Sequence, residues 1–349
     1  MQRTKDTADL ADKIQKDIQS LINKLDNNEI SPLLDSYPTN IADFGTTSVI
    51  TDMFDANRVL GFSTGYEELD TAIGGLRTQT LTVLAGATGM GKSLLAINIL
   101  LNLASKGVKV CYFDLENGTE QSLERLLRIK NKLPADYFKD TENKDNAAIL
   151  LNALGGIKYY SHETLYSLDL QKQGIRLIVS LIKSAVKDGV SVFLIDPLQA
   201  LETSLSSSDS YNEQGQIIKV FKEVAQTYKC SIIICHHMRK AVSGGSQWVS
   251  EIEEAEKPKY RMPTIDDLKG SGKIADFATD VWGILRMIDN PNKDRREKMM
   301  IRILKNRSGG RGDLYLKLDE TTLSINQYER PGDEYKGRDA IDILGDRLV

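Results

Sequence analysis

The sequence is poor in cysteine, and its apolar residues never form a long uninterrupted run. Its three cysteines, Cys111, Cys230 and Cys235, lie inside apolar, strand-like stretches and lack the paired spacing of metal ligands. This pattern predicts reduced core residues and argues against a disulfide framework or a zinc site. No stretch of 18 apolar residues occurs, and the first residues lack the apolar run of a signal peptide. We therefore expect a cytosolic protein without a membrane-spanning segment.

An excess of positive charge is lacking as well, since 45 Lys and Arg stand against 49 Asp and Glu, a net charge of −4. Proteins that coat themselves in nucleic acid usually carry a basic surface, so this balance argues against such a role for the chain as a whole. Between residues 236 and 311, however, 16 Lys and Arg stand against 11 Asp and Glu. Any contact with a polyanion is therefore expected in that segment.

Apolar periodicity divides the chain into three parts. Residues 4–27 place apolar side chains at spacings of three and four, which is typical of one face of a helix, and two prolines interrupt the polar segment that follows. We therefore predict an N-terminal amphipathic helix and linker over 1–58, a main domain over 59–328 and a mobile acidic tail over 329–349.

Within the main domain, short apolar runs alternate with segments of helical length. Strands that are buried on both faces and joined by helices are typical of a parallel sheet, and three later runs with short connections predict a sheet edge. The early runs are residues 81–84, 108–113, 190–195 and 230–235, and the later ones are 281–287, 299–304 and 314–318. The expected fold class is α/β, with a mostly parallel central sheet.

A glycine-rich octapeptide follows the first of these runs and precedes an apolar helix. Its pattern, G-x4-G-K-S, lets backbone N–H groups wrap a phosphate at a helix N-terminus, while Lys92 neutralises the outer phosphates and the Ser93 hydroxyl reaches Mg²⁺. We therefore predict binding of ATP, or of another nucleoside triphosphate, together with Mg²⁺. The predicted nucleotide-binding residues are Gly86, Ala87, Thr88, Gly89, Met90, Gly91, Lys92, Ser93 and Leu94.

Polar residues at the ends of other runs predict the rest of a hydrolytic site. Asp196 closes a run at the sheet edge where ligands of such folds bind, which makes it the second predicted Mg²⁺ ligand. Glu116 is the candidate for the group that activates water, and Asp114 competes for that role. One imidazole of the His236-His237 pair could face the terminal phosphate while the other caps the strand.

Basic residues supply two further candidate sites. Lys305 and Arg307 follow a late run and precede a Gly-Gly turn, which suits an arginine finger that reaches a neighbouring subunit's nucleotide; a solvated basic loop is the alternative. Elsewhere, lysines, a serine and backbone amides could hold the phosphates of single-stranded DNA without reading its bases. The predicted DNA-binding residues are Arg239, Lys240, Lys269, Gly270, Ser271, Gly272 and Lys273.

Taken together, these motifs resemble the DnaB-like hexameric helicases of superfamily four, and they look most similar to the helicase half of phage primase-helicases and Twinkle. The resemblance runs from about residue 61 to residue 325. It is carried by residues 61–66 with 69–70, 86–93, 115–116, 195–196, 237–240, 267–272 and 305–307.

The resemblance implies a RecA-like ATPase core with assigned roles. Glu116 would be the general base, Asp196 the magnesium-linked acid, and His237 a phosphate sensor linked to DNA-binding loops, while Lys305 and Arg307 would act in trans. The implied assembly is a six-membered ring with DNA in its channel, in which the N-terminal helix docks on the next subunit.

The activity implied by the resemblance is that of an ATP-dependent replicative helicase that moves 5′ to 3′ on single-stranded DNA and unwinds forked DNA. Its setting would be the cytosol of a bacterium or of a phage-infected host, and its candidate partners are a primase, a polymerase and a single-strand-binding protein. Larger members carry a primase or collar domain, for which we expect no room before Gly61. A RecA- or RadA-type recombinase or loader is the main alternative, and a KaiC-like regulatory ATPase is a weaker one.

Overall fold

The computed structural model describes residues 61–202, 207–238, 263–268, 271–307 and 309–328, and the predicted segments 1–58 and 329–349 lie outside these ranges. The described strands are β1 (Thr80–Gly86), β2 (Val110–Asp114), β3 (Ile157–Tyr160), β4 (Val192–Asp196), β5 (Ser231–His237), β6 (Asp280–Arg286), β7 (Lys298–Asn306), β8 (Gly312–Leu318) and β9 (Ile325–Gln327). They form one sheet in the order β3-β2-β4-β5-β1-β6-β7-β8-β9.

Helices connect these strands along the described chain. They are α1 (Glu67–Ile73), α2 (Lys92–Ser105), α3 (Thr119–Asn131), α4 (Ala147–Asn152), α5 (His162–Ser167), α6 (Leu170–Gln173), α7 (Ile175–Lys187), α8 (Ser207–Thr227), α9 (Ser271–Phe277) and α10 (Lys293–Glu297). Short 3-10 turns cover Tyr137–Lys139, Thr141–Asn146, Leu198–Leu201 and Ile265–Asp267. Among the described helices, none is long and apolar enough to cross a membrane.

The parallel part of the sheet is buried on both faces. Strands β3, β2, β4, β5, β1 and β6 all run in the same direction, and every residue of β1, β2 and β4 is buried. Successive side chains of a strand point to opposite faces, so these strands feed two apolar cores. Leu81 and Val83 lie in one core, whereas Leu84 and the apolar residues of α2 lie in the other. The predicted α/β class with a mostly parallel sheet is confirmed.

Strands β7, β8 and β9 are antiparallel and form one side of the sheet. The late runs lie on one side of the sheet as predicted, but β7 and β8 pair with a neighbour on each side, and the strand at this edge is β9. The prediction was furthest from the structure for the run at 281–287. That run contains β6, which lies beside β1 and runs parallel to it. The reason is the connection before it: residues 238–279 are long enough for the crossover that a parallel neighbour needs, while the short connections come only afterwards.

All three cysteines are buried and free, as their apolar surroundings predicted. The sequence did not predict β3, because its four residues are only half-buried and lack a continuous apolar pattern. It did not predict β9 either, since only the first of its three residues is buried.

The burial of these strands on both faces leads to a prediction about stability. Phe193 of β4 is fully buried and its ring stacks on that of Phe113, with centroids 6.4 Å apart. Replacing Phe193 with alanine leaves a cavity and is expected to lower the free energy of unfolding by about 3–5 kcal/mol. Chemical denaturation with an unchanged denaturant slope measures this loss. The matched control is Phe138→Ala, because Phe138 is 43% exposed; an equal loss in both variants would contradict the assignment of Phe193 to the core.

Candidate functional site

Parallel pairing brings the phosphate loop and the predicted residues Asp196 and His237 to one edge of the sheet. Gly86 at the end of β1 lies level with His237 at the end of β5, and Asp114 at the end of β2 lies level with Asp196 at the end of β4. This is the carboxyl edge, where ligands of open α/β sheets bind. Residues that are separated by 82 and 151 positions in sequence are therefore level with each other at the same edge.

The phosphate loop has the geometry of an anion site. Gly89 and Gly91 adopt left-handed φ values of 83° and 93°, a region in which glycine is favoured. Helix α2 begins directly after Gly91, and no described side chain caps its N-terminus. Its first N–H groups and the positive end of its dipole are therefore directed at the loop, which favours a bound phosphate.

Lys92 is folded back over the loop and is almost fully buried. Its ammonium donates hydrogen bonds to the carbonyl oxygens of Gly86 and Ala87, both at 3.0 Å, and to Nδ1 of His237 at 3.3 Å. Burial lowers the pKa of Lys92, while Asp196 and Glu116 oppose that shift. A buried cation that is held by neutral acceptors is poised to exchange them for the oxygens of a polyphosphate.

Asp196 has the geometry expected of a magnesium-linked acid. It is 3% exposed, and its Oδ2 atom has no hydrogen-bond partner among the described residues. Burial raises its pKa, while the side chains of Ser93 and Cys235, within hydrogen-bonding reach of the carboxylate, oppose that shift. An unsatisfied carboxylate oxygen beside a hydroxyl is costly unless a cation neutralises it. The oxygen donors of Ser93 and Asp196 therefore fit Mg²⁺, which prefers such ligands.

The structure distinguishes the two acidic residues at the end of β2. Asp114 is fully buried, and its carboxylate accepts hydrogen bonds from the backbone and side chain of Asn117, from the hydroxyl of Ser122 and from Tyr159. Because its carboxylate already accepts these hydrogen bonds, Asp114 stabilises the turn that follows β2. Glu116 lies two residues further on, is exposed, and contributes to the electrostatic field at Lys92. Of the two, Glu116 is the one available to an attacking water.

The two adjacent histidines have different surroundings. His237 directs Nδ1 at Lys92 and lies 3.5 Å from the hydroxyl of Thr88. Because an ammonium can only donate, Nδ1 of His237 accepts in this contact. His236 is fully buried and receives a hydrogen bond from the side chain of Gln199 instead. His237 is therefore the histidine at the phosphate loop.

The sequence did not predict two residues near the loop. Ile234 pairs with Ile195, so the next residue, Cys235, is the cross-strand neighbour of Asp196. The sequence did hold one signal for it, because Cys235 and His237 are two residues apart on β5 and so point to the same face of the sheet. Arg286, at the end of β6, donates its backbone N–H to Sδ of Met90 at 3.4 Å. The proximity of Arg286 could not be predicted, because it depends on β6 lying beside β1.

Lys305 and Arg307 lie at the opposite edge of the sheet from the phosphate loop of their own chain. Strand β7 runs antiparallel to β6, and Asn306 pairs with Asp280, the first residue of β6. Since β6 runs parallel to β1 and Asp280 is level with Thr82, this end of β7 lies four residues, or about 13 Å along the strand, before Gly86 at the end of β1. These two cations therefore lie far from the nucleotide site of their own subunit.

Both cations contact the C-terminal end of α9. The Lys305 ammonium donates to the carbonyl oxygens of Ala275 and Ala278, and Arg307 donates to that of Asp276 at 2.8 Å. Cations are favoured at this negative end of a helix. Lys305 is half-buried, whereas Arg307 is exposed. Of the two predicted residues, Arg307 is thus the one presented to solvent.

The loop that carries Arg307 is fixed on α1. The side-chain amide of Asn306 donates to the carbonyl oxygen of Ala72 at 3.1 Å. A Cβ atom added at Gly310 would lie 1.7 Å from the same oxygen, so only glycine fits this approach. Nearby, burial raises the pKa of Asp280 to about 6, and the charges of Arg77, Lys222 and Lys305 oppose the shift.

The described residues that precede the two predicted DNA-binding segments are paired. Met238 and Leu268 form an antiparallel bridge, and the next residues along the chain are Arg239 and Lys269. Pro263 packs against β6, since a Cβ at Gly283 would lie 2.7 Å from its Cγ. The structure therefore fixes the described residues that flank both segments.

Two of the seven predicted DNA-binding residues can be located by their surroundings. Gly272 is exposed and has open space around it, and the stem of Lys273 lies on α8, where a Cβ at Gly215 would be 2.7 Å from it. For Ser271 only its position at the start of α9 is described. Outside the described residues lie Arg239, Lys240, Lys269 and Gly270.

Comparison with known sequences gives one family over nearly the whole described region. The profile of the DnaB-like helicase C-terminal domain matches residues 61–327. A probable replicative DNA helicase of Trieres chinensis is 25% identical over 324 residues, which cover 90% of this chain and 66% of the relative. The replicative DNA helicase DnaC of Bacillus subtilis is 27% identical over 286 residues, which cover 79% of this chain and 58% of the relative. The chain thus spans about three fifths of the length of these relatives.

Two solved structures share the fold. The ATPase domain of a phage helicase superposes with a TM-score of 0.68 at 20% identity, covering 84% of this chain and all of that one. A DnaB-like replicative helicase, whose structure was described together with its interactions with primase, gives a TM-score of 0.67 at 19% identity, with 90% and 74% covered. These likenesses confirm the RecA-like arrangement of the core.

The role of the backbone geometry at Gly91 in nucleotide binding can be tested with a matched pair of glycine variants. In Gly91→Ala, the new methyl group would lie 2.8 Å from Cε of Met299 while φ stays left-handed, so the loop must shift. We expect at least a roughly tenfold loss of nucleotide affinity, measured by titration with a fluorescent ATP analogue, because the loop's N–H groups would no longer converge on one phosphate.

The control is Gly107→Ala. Gly107 has a similar φ of 81°, but no atom of the described residues lies within 4 Å of the added methyl group. This variant is expected to lower stability by about 1 kcal/mol and to leave nucleotide affinity unchanged. Equal losses of affinity in the two variants would contradict a specific role for the geometry at Gly91.

Proposed function

The chain belongs to the DnaB-like helicase C-terminal domain family, and on that premise we propose that it is the motor of a ring-shaped, ATP-driven replicative DNA helicase. Its ring would be a hexamer that moves 5′ to 3′ along single-stranded DNA and separates the strands of a fork. Its relatives are named replicative DNA helicases, which supports the assignment of the activity.

The observation that carries the proposal is the separation of Arg307 from its own phosphate loop. The two lie at opposite edges of one rigid sheet, so the cation cannot stabilise charge on a nucleotide bound to the same subunit. In a ring whose subunits pack head to tail, the surface that carries the phosphate loop in one subunit meets the surface that carries Arg307 in the next. Each nucleotide site is then completed by two subunits.

Within each composite site, the proposed roles follow from the contacts. The loop amides and Lys92 hold the phosphates, Glu116 orients and deprotonates the attacking water, and His237 senses the terminal phosphate. Ser93 and Asp196 would hold Mg²⁺, which supplies positive charge to the phosphate oxygens when bound. Arg307 and Lys305 of the neighbouring subunit would stabilise the charge that develops during phosphoryl transfer.

A structural change at the nucleotide would be transmitted to DNA through the end of β5. His237 contacts the loop and is followed by Met238, which pairs with Leu268. The two basic segments that continue from this bridge are proposed to hold the phosphates of a single strand. The proposed contacts are made by Arg239, Lys240, Lys269, Gly270, Ser271, Gly272 and Lys273.

The remaining parts of the proposal concern partners. The amphipathic pattern of residues 4–27 suits a contact with a neighbouring subunit, since its apolar stripe needs a partner surface. A primase, a polymerase or a single-strand-binding protein is the proposed partner at a replication fork, in the cytosol of a bacterium or of a phage-infected host.

The first test is unwinding of a forked DNA with ATP and Mg²⁺ by the full chain. Lys92→Ala and Arg307→Ala are each expected to abolish unwinding and to lower ATP turnover, for Arg307→Ala by about a thousandfold or more. The control is Arg176→Ala on α7, an exposed arginine of the described region that the proposal does not use. Turnover of ATP on single-stranded DNA without strand separation would instead favour a recombinase or a loader.

Mixing the two inactive variants tests the composite site directly. In a random equal mixture, about a quarter of the sites would pair the intact loop of an Arg307→Ala subunit with the intact Arg307 of a Lys92→Ala subunit. ATPase activity is therefore expected to reappear on mixing. A mixture as inactive as its components would show that Arg307 does not act in trans and would remove the main support for the ring.

A further inference from the structure

One side chain joins the exit of β4 to the end of β5. Gln199 lies in the 3-10 turn Leu198–Leu201, three residues after Asp196. Its Nε2 donates a hydrogen bond to Nδ1 of His236, and its Oε1 accepts the backbone N–H of His237 at 3.4 Å. A single amide thus bridges the turn behind the acidic residue of the site and both histidines.

The two contacts together fix the amide in one orientation. The backbone N–H of His237 can only donate, so it must face the amide oxygen, and the amide nitrogen then donates to Nδ1 of His236. His236 is fully buried and Gln199 is half-buried. Hydrogen bonds in such surroundings hold more firmly than at a surface, because a lost partner is not replaced by water.

The residues on either side of this bridge respond to different ligands in the proposed function. On one side, Asp196 presents a carboxylate oxygen without a described hydrogen-bond partner to the nucleotide pocket. On the other side, His237 contacts Lys92, and the following Met238 pairs with Leu268 at the start of the two basic segments. The parallel pairing of β4 with β5 extends to Ile195 and Ile234. Beyond that point, Gln199 provides a side-chain tie between the two strand exits.

We infer that Gln199 is a positioning residue that couples the nucleotide state of the site to the grip on DNA. By holding the turn after Asp196 to the backbone of His237, it makes the two strand exits move as one body. A shift at the phosphates is then passed to Met238 and to the segments beyond it. The inference rests on the proposed function, since it requires that those segments bind single-stranded DNA.

Coupling of this kind is a free energy shared by two ligands, and it is measured as a ratio of affinities. The experiment determines the Kd of the full chain for a fluorescent single-stranded oligonucleotide, with and without a non-hydrolysable ATP analogue and Mg²⁺. The ratio of the two Kd values is the coupling factor. By linkage, the same factor describes the effect of the oligonucleotide on the affinity for the analogue, which provides an internal check.

Gln199→Leu keeps the size of the side chain but removes both hydrogen bonds. We expect it to reduce the coupling factor by about fivefold or more. Its affinity for the analogue without DNA should stay close to that of the unchanged protein, while its denaturation midpoint falls because buried His236 loses a hydrogen-bond partner. The control is Gln216→Leu on α8, the same chemical change at an exposed position, which should leave the coupling factor unchanged. A purely structural role would instead lower both affinities together and leave their ratio, the coupling factor, unchanged.

A second variant keeps the test decisive if Gln199→Leu does not fold. Gln199→Met keeps an unbranched side chain of similar length but lacks the amide that makes both hydrogen bonds. It is expected to show a loss of coupling similar to that of Gln199→Leu. The inference is overturned if either folded variant couples as strongly as the unchanged protein. If the unchanged protein binds no single-stranded DNA under any condition, the proposed function itself fails and the inference fails with it.

Discussion

Parallel pairing of β1 with β5, and of β4 with β2 and β5, is the constraint on which the rest of the site depends. Helices cover both faces of these strands, so their side chains are buried and their register cannot slip by one residue without turning each of them to the other face. The same pairing aligns the strand ends. The phosphate loop, Asp114, Asp196 and His237 meet because the backbone ladder that carries them has no other register that keeps both cores intact.

How much of this could be predicted depends on whether the signal was local. The buried strands and the phosphate loop were predictable, because a continuous apolar run and a G-x4-G-K-S pattern each identify themselves within a few residues. The choice between Asp114 and Glu116 was not, since it depends on partners such as Ser122 and Tyr159 that only the folded chain brings near. Gln199 carries no pattern of its own, and its two partners lie on another strand.

The position of β6 is the clearest case of a non-local effect. Its sequence predicts one of three late strands with short connections. In the structure, β6 lies beside β1 in the interior of the sheet. That placement decides what surrounds the phosphate loop, because it brings Arg286 to Met90. It also sets the direction of β7, and hence the edge at which Arg307 leaves the sheet. One topological choice thus determines both what lies near the nucleotide and what is kept away from it.

Strand β7 extends from the phosphate loop to the loop that carries Arg307. At its first residues, Met299 lies so close to the phosphate loop that Gly91 has no room for a side chain. At its far end, about 27 Å away for nine extended residues, it releases the loop that carries Arg307. In the proposed ring, β7 of each subunit would therefore link its own nucleotide site to the site that its Arg307 helps to complete, so that a displacement at one site would be felt at the next.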